Sequence, residues 1–88
     1  MSLANELITK GWCQDRFQDR DGRVCLDKAI RNCVGLTDDY TYSQELVDRE
    51  LDVEEILGDT VINWNDAPDR TFDEVLRVAK QCDEQWGW

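Results

Sequence analysis

The chain has 88 residues and a mass of 10.3 kDa, and its 20 acidic and 10 basic side chains give it a formal net charge of −10. A domain of this size buries only about 60% of the surface that its unfolded chain exposes, so a small-molecule pocket of about 300 Å³ or more would take up much of its core. The size argues against an independent enzyme. The charge argues against direct binding to nucleic acid, because neutralising phosphates requires clustered Lys and Arg.

The sequence has no apolar run approaching the roughly 18 residues of a membrane span, and it starts without the basic-then-apolar order of a signal peptide. We therefore expect a cytoplasmic protein with no membrane association. Residues 1–88 are interpreted as one domain. Met1, Ser2 and Leu3 resemble a scar left by a cloning vector, so no functional weight is placed on them.

The acidic side chains are concentrated after residue 35. Residues 1–35 contain six basic and five acidic side chains, a net charge of +1, whereas residues 36–88 contain four basic and fifteen acidic ones, a net charge of −11. This charge can serve solubility alone, or it can attract a basic partner surface. A protein partner, basic in the second case, is therefore the expected kind of ligand.

The four cysteines do not have metal-site spacing. Cys13, Cys25, Cys33 and Cys82 form no close CxxC pair, and the sequence contains no histidine. We expect no metal, no cofactor and no disulfide framework, and we expect reduced thiols that are mostly buried. Cys33 and Cys82 are predicted to lie on apolar helix faces.

The first predicted helix runs from Leu3 to Lys10. Ala4, Leu7 and Ile8 recur at the i, i+3, i+4 spacing of an amphipathic helix. Gly11 follows it and is predicted to close it in a left-handed cap.

The stretch after this helix is polar. Asp21-Gly22 is a turn signal, so residues 13–25 are interpreted as a charged connector or a small hairpin. A calcium loop of the EF-hand type is rejected, because Phe17 and Lys28 would occupy the first and twelfth positions, which need oxygen ligands.

A stronger helix is predicted from Leu26 to Val34, with Gly35 as its stop. Its apolar residues fall at i, i+3, i+4, i+7 and i+8. Asp27 and Arg31 are four residues apart and are predicted to form an exposed pair, worth about 0.2–0.5 kcal/mol.

Residues 43–57 are predicted to be helical, with Thr41 or Ser43 as the N-cap and Gly58 as the end. Asp52 begins a second capping signature, so the segment is either one bent helix or two short ones.

A short apolar turn follows, Val61–Trp64, which suits a helical turn or a short strand equally well. Pro68 disfavours a helical Ala67, so the turn is predicted to end by Asp66 or Ala67.

The last predicted helix begins with a capping box formed by Thr71 and Glu74. Its apolar face is the most regular in the chain and comprises Phe72, Val75, Leu76, Ala79, Cys82 and Trp86. The predicted fold is therefore all-α or mainly α, a compact single-domain bundle of four to five short helices.

Two motifs resemble a family of small uncharacterised proteins of bacteria and phages, defined only as a domain of unknown function. The first motif is Gly11-Trp12-Cys13-Gln14, and the second is Trp64-Asn65-Asp66-Ala67-Pro68 with Arg70-Thr71. The resemblance implies a shared fold and a mobile-element setting. It implies no activity.

Two groups of residues are candidates for a partner-binding site. From the second motif these are Trp64, Asn65, Asp66 and Arg70. A structural interpretation competes with this one: Trp64 anchors the core with its indole N–H bonded to a loop carbonyl, Asn65 and Asp66 bond the turn backbone, and Arg70 reaches Asp66 or another acidic neighbour.

The other group is the pair Trp86 and Trp88, since tryptophan is enriched at interface hot spots. These residues would suit a partner or a homodimer contact. The competing interpretation is that Trp86 completes the apolar face of the last helix.

No catalytic residue is proposed, because the sequence lacks histidine, a Gly-rich phosphate loop and a nucleophile elbow. The favoured hypothesis is a small acidic protein-interaction module without catalytic activity. A phage-associated acidic decoy that imitates DNA is the alternative, and a small enzyme subunit is the least favoured one. Carboxylates aligned along one face would favour the decoy.

Overall fold

The computed structural model describes residues 2–87, and this part of the chain contains five helices and no strand. The helices are α1 (Leu3–Lys10), α2 (Leu26–Cys33), α3 (Gln44–Leu57), α4 (Val61–Asn65) and α5 (Phe72–Trp86). The predicted all-α fold with four to five short helices is confirmed. None of the helices within residues 2–87 is long and apolar enough to cross a membrane.

Each helix begins at a residue whose side chain accepts a hydrogen bond from the first turn, as N-caps do. The N-caps are Ser2, Cys25, Ser43, Thr60 and Thr71. Both halves of the predicted capping box between Thr71 and Glu74 are present. Ser43, one of the two candidates for its helix, is the cap of α3.

The structure decides the two elements that the sequence left open. Residues 44–57 form one helix, which ends at Gly58 in the left-handed conformation. The apolar turn that follows is a helix, not a strand, and it ends at Asn65 as the position of Pro68 predicts.

The connector between α1 and α2 does not form a hairpin ladder. Val24 makes two isolated bridges, a parallel one with Trp12 and an antiparallel one with Gln18. Gly11 has a positive φ of 86° but an extended ψ of 171°, so the predicted left-handed cap is wrong. A Cβ atom at Gly11 would lie 2.8 Å from Cγ of Arg23, so the glycine also allows the connector to approach closely.

The helices pack around α2, which contacts α1, α3 and α4, while α1 also packs against α5. The Asp83 carboxylate of α5 accepts hydrogen bonds from the backbone amides of Leu3 (2.8 Å) and Ala4 (3.1 Å). Ser2 caps α1 and Leu3 is fully buried, so these two residues of the scar-like start are part of the fold.

The predicted exposed pair on α2 is wrong, because Asp27 is 3% exposed and Arg31 is 0% exposed. Lys28 is 4% exposed as well. The reason is that α2 is the central helix: α3 packs against it, and the segment at residues 37–42 folds back over its polar side. Its polar residues therefore face protein where the periodicity suggested water.

Candidate functional site

Asn65 joins the two sequence motifs through its buried side chain. Its Oδ1 accepts hydrogen bonds from the indole Nε1 of Trp12 (2.7 Å) and from the backbone amide of Leu26 (3.0 Å). Its Nδ2 donates to the carbonyl of Cys13 (3.2 Å). A buried amide needs such partners, and here they connect α4 to the start of α2 and to the first motif.

Gln14 and Asp66 add a second layer of contacts. Nε2 of Gln14 donates to the carbonyls of Asn65 (2.9 Å) and Ala67 (2.8 Å). Oδ1 of Asp66 accepts from the backbone amide of Asp15 (3.0 Å) and from Nδ2 of Asn65 (2.9 Å). We call Trp12, Gln14, Asn65 and Asp66 the motif clasp, since they fasten the two motifs together.

Trp64 and Arg70 close the turn between α4 and α5. The Arg70 guanidinium carbon lies 3.8 Å from the centroid of the Trp64 ring, a cation–π geometry. Arg70 also donates to the Trp64 carbonyl (2.9 Å) and to the Glu74 carboxylate (3.0 Å). The acidic neighbour that Arg70 reaches is thus Glu74. The indole that bonds to the neighbouring motif is that of Trp12, whereas Trp64 is half-buried beneath Arg70.

The candidate residues do not converge on one place. Trp86 packs half-buried against the core at the far end of α5. It lies about 21 Å along the helix axis from Phe72 at the other end. Trp88 lies outside the described residues. Asn65 is fully buried and so is not exposed to a partner.

A shallow groove of about 520 Å³ lies beside the motif clasp, between the first motif and the connector that follows it. Its lining includes Trp12, Cys13, Gln14 and three arginines, Arg16, Arg20 and Arg23. Arg23 is paired with Asp19 at 2.6 Å, and the Cys13 thiol donates to the Arg23 carbonyl at 3.2 Å. Among residues 2–87, no three His, Cys, Asp or Glu side chains are grouped so as to hold a metal ion.

The cysteines are free, and burial suppresses their reactivity. Burial raises the pKa of Cys25 and of Cys82 to about 12, and that of Cys33 to about 11. Burial also raises the pKa of Cys13. Because the thiolate is the reactive form, these thiols are poor nucleophiles at neutral pH.

A second surface, which sequence reasoning missed, is built on the two buried cations of α2. Lys28 is nearly buried, and its Nζ donates to the carbonyl of Thr37 (2.6 Å) and to the Asp39 carboxylate (2.8 Å). Nη1 of Arg31 donates to the carbonyl of Thr41 (2.7 Å). Both cations therefore hold residues 37–42, which we call the tyrosine loop.

The tyrosine loop is also ordered from within. The Asp38 carboxylate accepts hydrogen bonds from the backbone amides of Tyr40 (3.3 Å) and Thr41 (2.9 Å) and from the Thr41 hydroxyl (2.5 Å). The hydrogen bonds from Thr41 lower the pKa of Asp38. The loop thus presents Tyr40 and Tyr42 to solvent, 80% and 66% exposed.

Arg31 is covered by two aromatic rings and lies close to carboxylates. Its guanidinium carbon is 4.7 Å from the Tyr42 ring centroid and 5.5 Å from that of Phe17. Its Nε lies 3.9 Å from a carboxylate oxygen of Asp27. Nε and Nη2 of Arg31 and Oδ1 of Asp27 are buried without a hydrogen-bond partner. This is an under-satisfied buried ion pair.

Glu50 of α3 completes this cluster. Burial, together with the neighbouring Asp27 carboxyl, raises the pKa of Glu50 to about 8, against the opposing effect of Arg31. The raised pKa favours the protonated form of Glu50, which relieves the repulsion between its carboxyl group and that of Asp27.

Exposed apolar side chains continue from the tyrosine loop onto α3. Tyr42 and Val47 occupy the N′ and N4 positions around the Ser43 cap, the places of a hydrophobic staple. Leu51 follows Val47 one turn later and is 59% exposed, while Val47 is 37% exposed. We call Tyr40, Tyr42, Val47 and Leu51 the exposed strip.

The exposed strip lies in the most acidic part of the chain. Residues 36–59 contain nine acidic side chains and one basic side chain, a formal net charge of −8 with every carboxyl group counted as ionised. On α3, four acidic residues recur at i, i+3, i+7 and i+10 and so share one side of the helix. They are Glu45, Asp48, Asp52 and Glu55.

The sequence contained a signal for this surface in the two tyrosines that stand in an otherwise polar linker just before a capped helix. The signal could not be used without knowing that Lys28 and Arg31 face inward, because only those contacts hold the loop in place.

A family model described as "Family of unknown function (DUF6197)" matches residues 2–85. The resemblance to a family of unknown function is thereby confirmed. No curated protein and no solved structure matches the chain.

Proposed function

We propose that this chain, which belongs to the family of unknown function DUF6197, is a non-catalytic protein-interaction module that binds a basic partner through α3 and the tyrosine loop. The observation that carries the proposal is the exposed strip beside the acidic side of α3. Of the six large hydrophobic side chains that are exposed within residues 2–87, four belong to this strip. All four lie between residues 40 and 51, and exposed apolar groups rimmed by polar ones are typical of interaction sites.

The charge around the strip supports a basic partner. A net charge of −8 within residues 36–59 attracts cationic surfaces and repels acidic ones. Complementary charge of this kind speeds association and selects partners. The apolar strip adds surface whose removal from water favours binding.

The absence of catalysis is proposed because the chemically capable groups are occupied. The side chains of Asn65 and Gln14 already make hydrogen bonds within the motif clasp. Burial keeps the cysteines protonated. Glu50 has the kind of raised pKa found in active sites. It lies in a packed cluster with Asp27 and Arg31, and it does not line the groove.

An acidic decoy is the second candidate. The acidic side of α3 spans about 15 Å from Glu45 to Glu55, so its carboxylates follow one line as phosphates do along a strand. The apolar strip beside that line favours a protein interface that buries hydrophobic area, which a phosphate backbone does not offer. The first candidate is therefore preferred.

The test compares two charge variants of equal size. The first is Glu45→Gln with Asp48→Asn and Glu55→Gln on α3, and its control is Asp69→Asn with Asp73→Asn and Glu84→Gln, which are exposed elsewhere. Each is immobilised and exposed to host lysate in low and in high salt. We expect a salt-sensitive protein that wild type and control retain and the α3 variant loses. Equal retention by both variants would overturn the proposal.

The same experiment separates the decoy from the general module. If the retained protein binds DNA and duplex DNA displaces it from the immobilised chain, the decoy is supported. A partner that DNA does not displace supports the interaction module.

A further inference from the structure

We infer that the partner segment that binds the exposed strip is an amphipathic helix with Lys or Arg along the flank that faces Asp48 and Glu55. This inference rests on the proposed function and adds the shape and orientation of the ligand.

The strip has the form that a helix recognises. Val47 and Leu51 are one turn apart on α3, roughly 6 Å along the axis, and Tyr42 extends the line at the N′ position. Helix-in-groove recognition uses apolar anchors at i, i+3 or i+4, and i+7, which cover roughly 10 Å. A segment that binds by adding a β-strand would instead need the free edge of a sheet, and residues 2–87 form no strand.

The aromatic end of the strip is held in place before a partner arrives. Arg31 binds the Thr41 carbonyl and lies against the Tyr42 ring, so one face of that ring is supported while its side chain remains 66% exposed. Lys28 fixes the start of the loop at Thr37 and Asp39. A partner therefore does not have to order the loop, which lowers the entropic cost of binding.

The charges give the partner helix an orientation around its axis. At about 100° per residue, Asp48 and Glu55 lie on the flank of Val47 and Leu51 that faces away from the core. On the other flank Glu54 is half-buried, and its carboxylate accepts a hydrogen bond from the Val61 amide at 3.1 Å. Exposed carboxylates thus border one side of the strip, and basic side chains of the ligand are expected there. The Asp48 carboxylate accepts a hydrogen bond from Nε2 of Gln44 (2.8 Å).

A second copy of the chain fits less well. A two-fold contact places the same surface on both partners, so in an antiparallel pair the acidic flank of one α3 would meet the acidic flank of the other. Such like-charge contacts are unfavourable, which leaves a helix of opposite charge as the occupant.

The test uses synthetic peptides as probes. One 18-residue peptide of Leu and Lys has its leucines at helical spacing. A second has the same composition in scrambled order, and a third carries Glu at every Lys position. Binding is measured by calorimetry, and the contact is located from amide shifts of the 15N-labelled protein. We expect the first peptide to bind about tenfold or more tighter than the scrambled one, a difference of about 1.4 kcal/mol, and the third not to bind.

Variants of exposed residues show whether the strip is the contact. Val47→Ser with Leu51→Ser is expected to weaken binding of the first peptide about tenfold. The control, Ile8→Ser with Ile62→Ser, removes two exposed apolar side chains elsewhere and is expected to leave binding unchanged. Amide shifts should cluster at residues 40–55.

The outcomes separate this inference from the proposed function. Equal binding of the ordered and scrambled peptides, with both losing affinity in the α3 charge variant, would overturn the helix and keep the acidic docking surface. Binding that the Val47 and Leu51 variant does not change would also overturn the inference. Self-association that this variant abolishes would assign the strip to a second copy, and failure of all basic peptides would count against both proposals.

Discussion

Several side chains in this protein form hydrogen bonds with residues that are far away in the sequence, and Asn65 forms the most of them. Its side chain satisfies the Trp12 indole, the Leu26 amide and the Cys13 carbonyl from a fully buried position. Leaving buried polar groups unpaired costs about 1–3 kcal/mol each.

We therefore expect Asn65→Ala to destabilise the fold by about 3 kcal/mol or more, since three groups lose their partner. Urea unfolding followed by tryptophan fluorescence measures the change. Asn63→Ala, an exposed position on the same short helix, is the control and should stay within about 0.5 kcal/mol of wild type. Equal loss in both variants would contradict the buried role of Asn65.

Glu50 makes stability depend on pH in an unusual direction. Its pKa is about 8 in the folded chain because of burial and Asp27, against about 4.3 for a free side chain. The folded state thus binds a proton that the unfolded state has released. The contribution of Glu50 to the free energy of unfolding therefore falls as pH rises from about 5 to 8 and is constant above that range. Arg31 and Glu54 are the other charged groups near it.

Comparing wild type with Glu50→Gln isolates this contribution. The unfolding free energy of wild type should fall relative to that of the variant between pH 5 and 8, and the difference should level off at higher pH. Glu55→Gln, which removes an exposed carboxylate from the same helix, is expected to run parallel to wild type. A parallel course for Glu50→Gln as well would disprove the raised pKa.

At the scale of elements, α2 does two jobs. Its apolar residues fill the core, while Lys28 and Arg31 reach outward to hold the tyrosine loop. The loop itself belongs to no helix, so its order depends on these long-range contacts and on the turn at Asp38. The cation–π contact with Tyr42 links that order to the exposed strip.

Lys28→Met is expected to loosen the loop while leaving the helices intact, because methionine keeps the aliphatic bulk and loses the hydrogen bonds to Thr37 and Asp39. Amide hydrogen exchange at Tyr40 and Thr41 should become faster, with unchanged far-ultraviolet circular dichroism. Lys80→Met, at an exposed position on α5, serves as the control. Unchanged exchange in Lys28→Met would contradict the clamping role of Lys28.

The helices themselves could be predicted because their signals are local. The Thr71 and Glu74 capping box, the Ser43 cap and the glycine at position 58 lie within a few residues of the ends that they define. The polar side of α2 could not be predicted, since Arg31 at an i+4 spacing from Asp27 looks like a surface pair. Only the return of residues 37–42 over that side reveals its burial.

In the candidate site, too, local roles could be predicted from the sequence and contacts between distant segments could not. The structural roles of Asn65, Asp66 and Arg70 could be inferred as hydrogen-bonding roles near a turn. The partners of the Asn65 and Asp66 side chains and of the Asn65 carbonyl could not, because Trp12, Gln14 and Asp15 lie about 50 positions earlier in the chain. The exposed strip escaped prediction because Val47 and Leu51 matched a helical apolar pattern that usually indicates core, yet they face solvent.

Charge acts on the whole molecule. A net charge of −10, with −8 of it in residues 36–59, makes the folded state repel itself, and salt screens that repulsion. We therefore expect the melting temperature to rise when salt is increased from about 0.01 M to 0.15 M, where the Debye length shortens from about 30 Å to 8 Å.

The variant with Glu45, Asp48 and Glu55 neutralised should show a smaller rise in melting temperature with salt, because part of the charge repulsion has been removed. Scanning calorimetry at the two salt concentrations measures both curves. The variant neutralised at Asp69, Asp73 and Glu84 is the matched control and should lose less of the salt response. Identical salt responses for the two variants would mean that the acidic middle of the chain is not the main source of repulsion.

The motif clasp also constrains how this family can change over evolutionary time. Trp12 and Gln14 meet Asn65 and its neighbours across some 50 residues of sequence, so a replacement on one side leaves the other without its partner. Relatives should therefore keep or replace the two motifs as a pair. Recombination that brings together halves from divergent members should yield chains that fold poorly, even when each half carries its own helices intact.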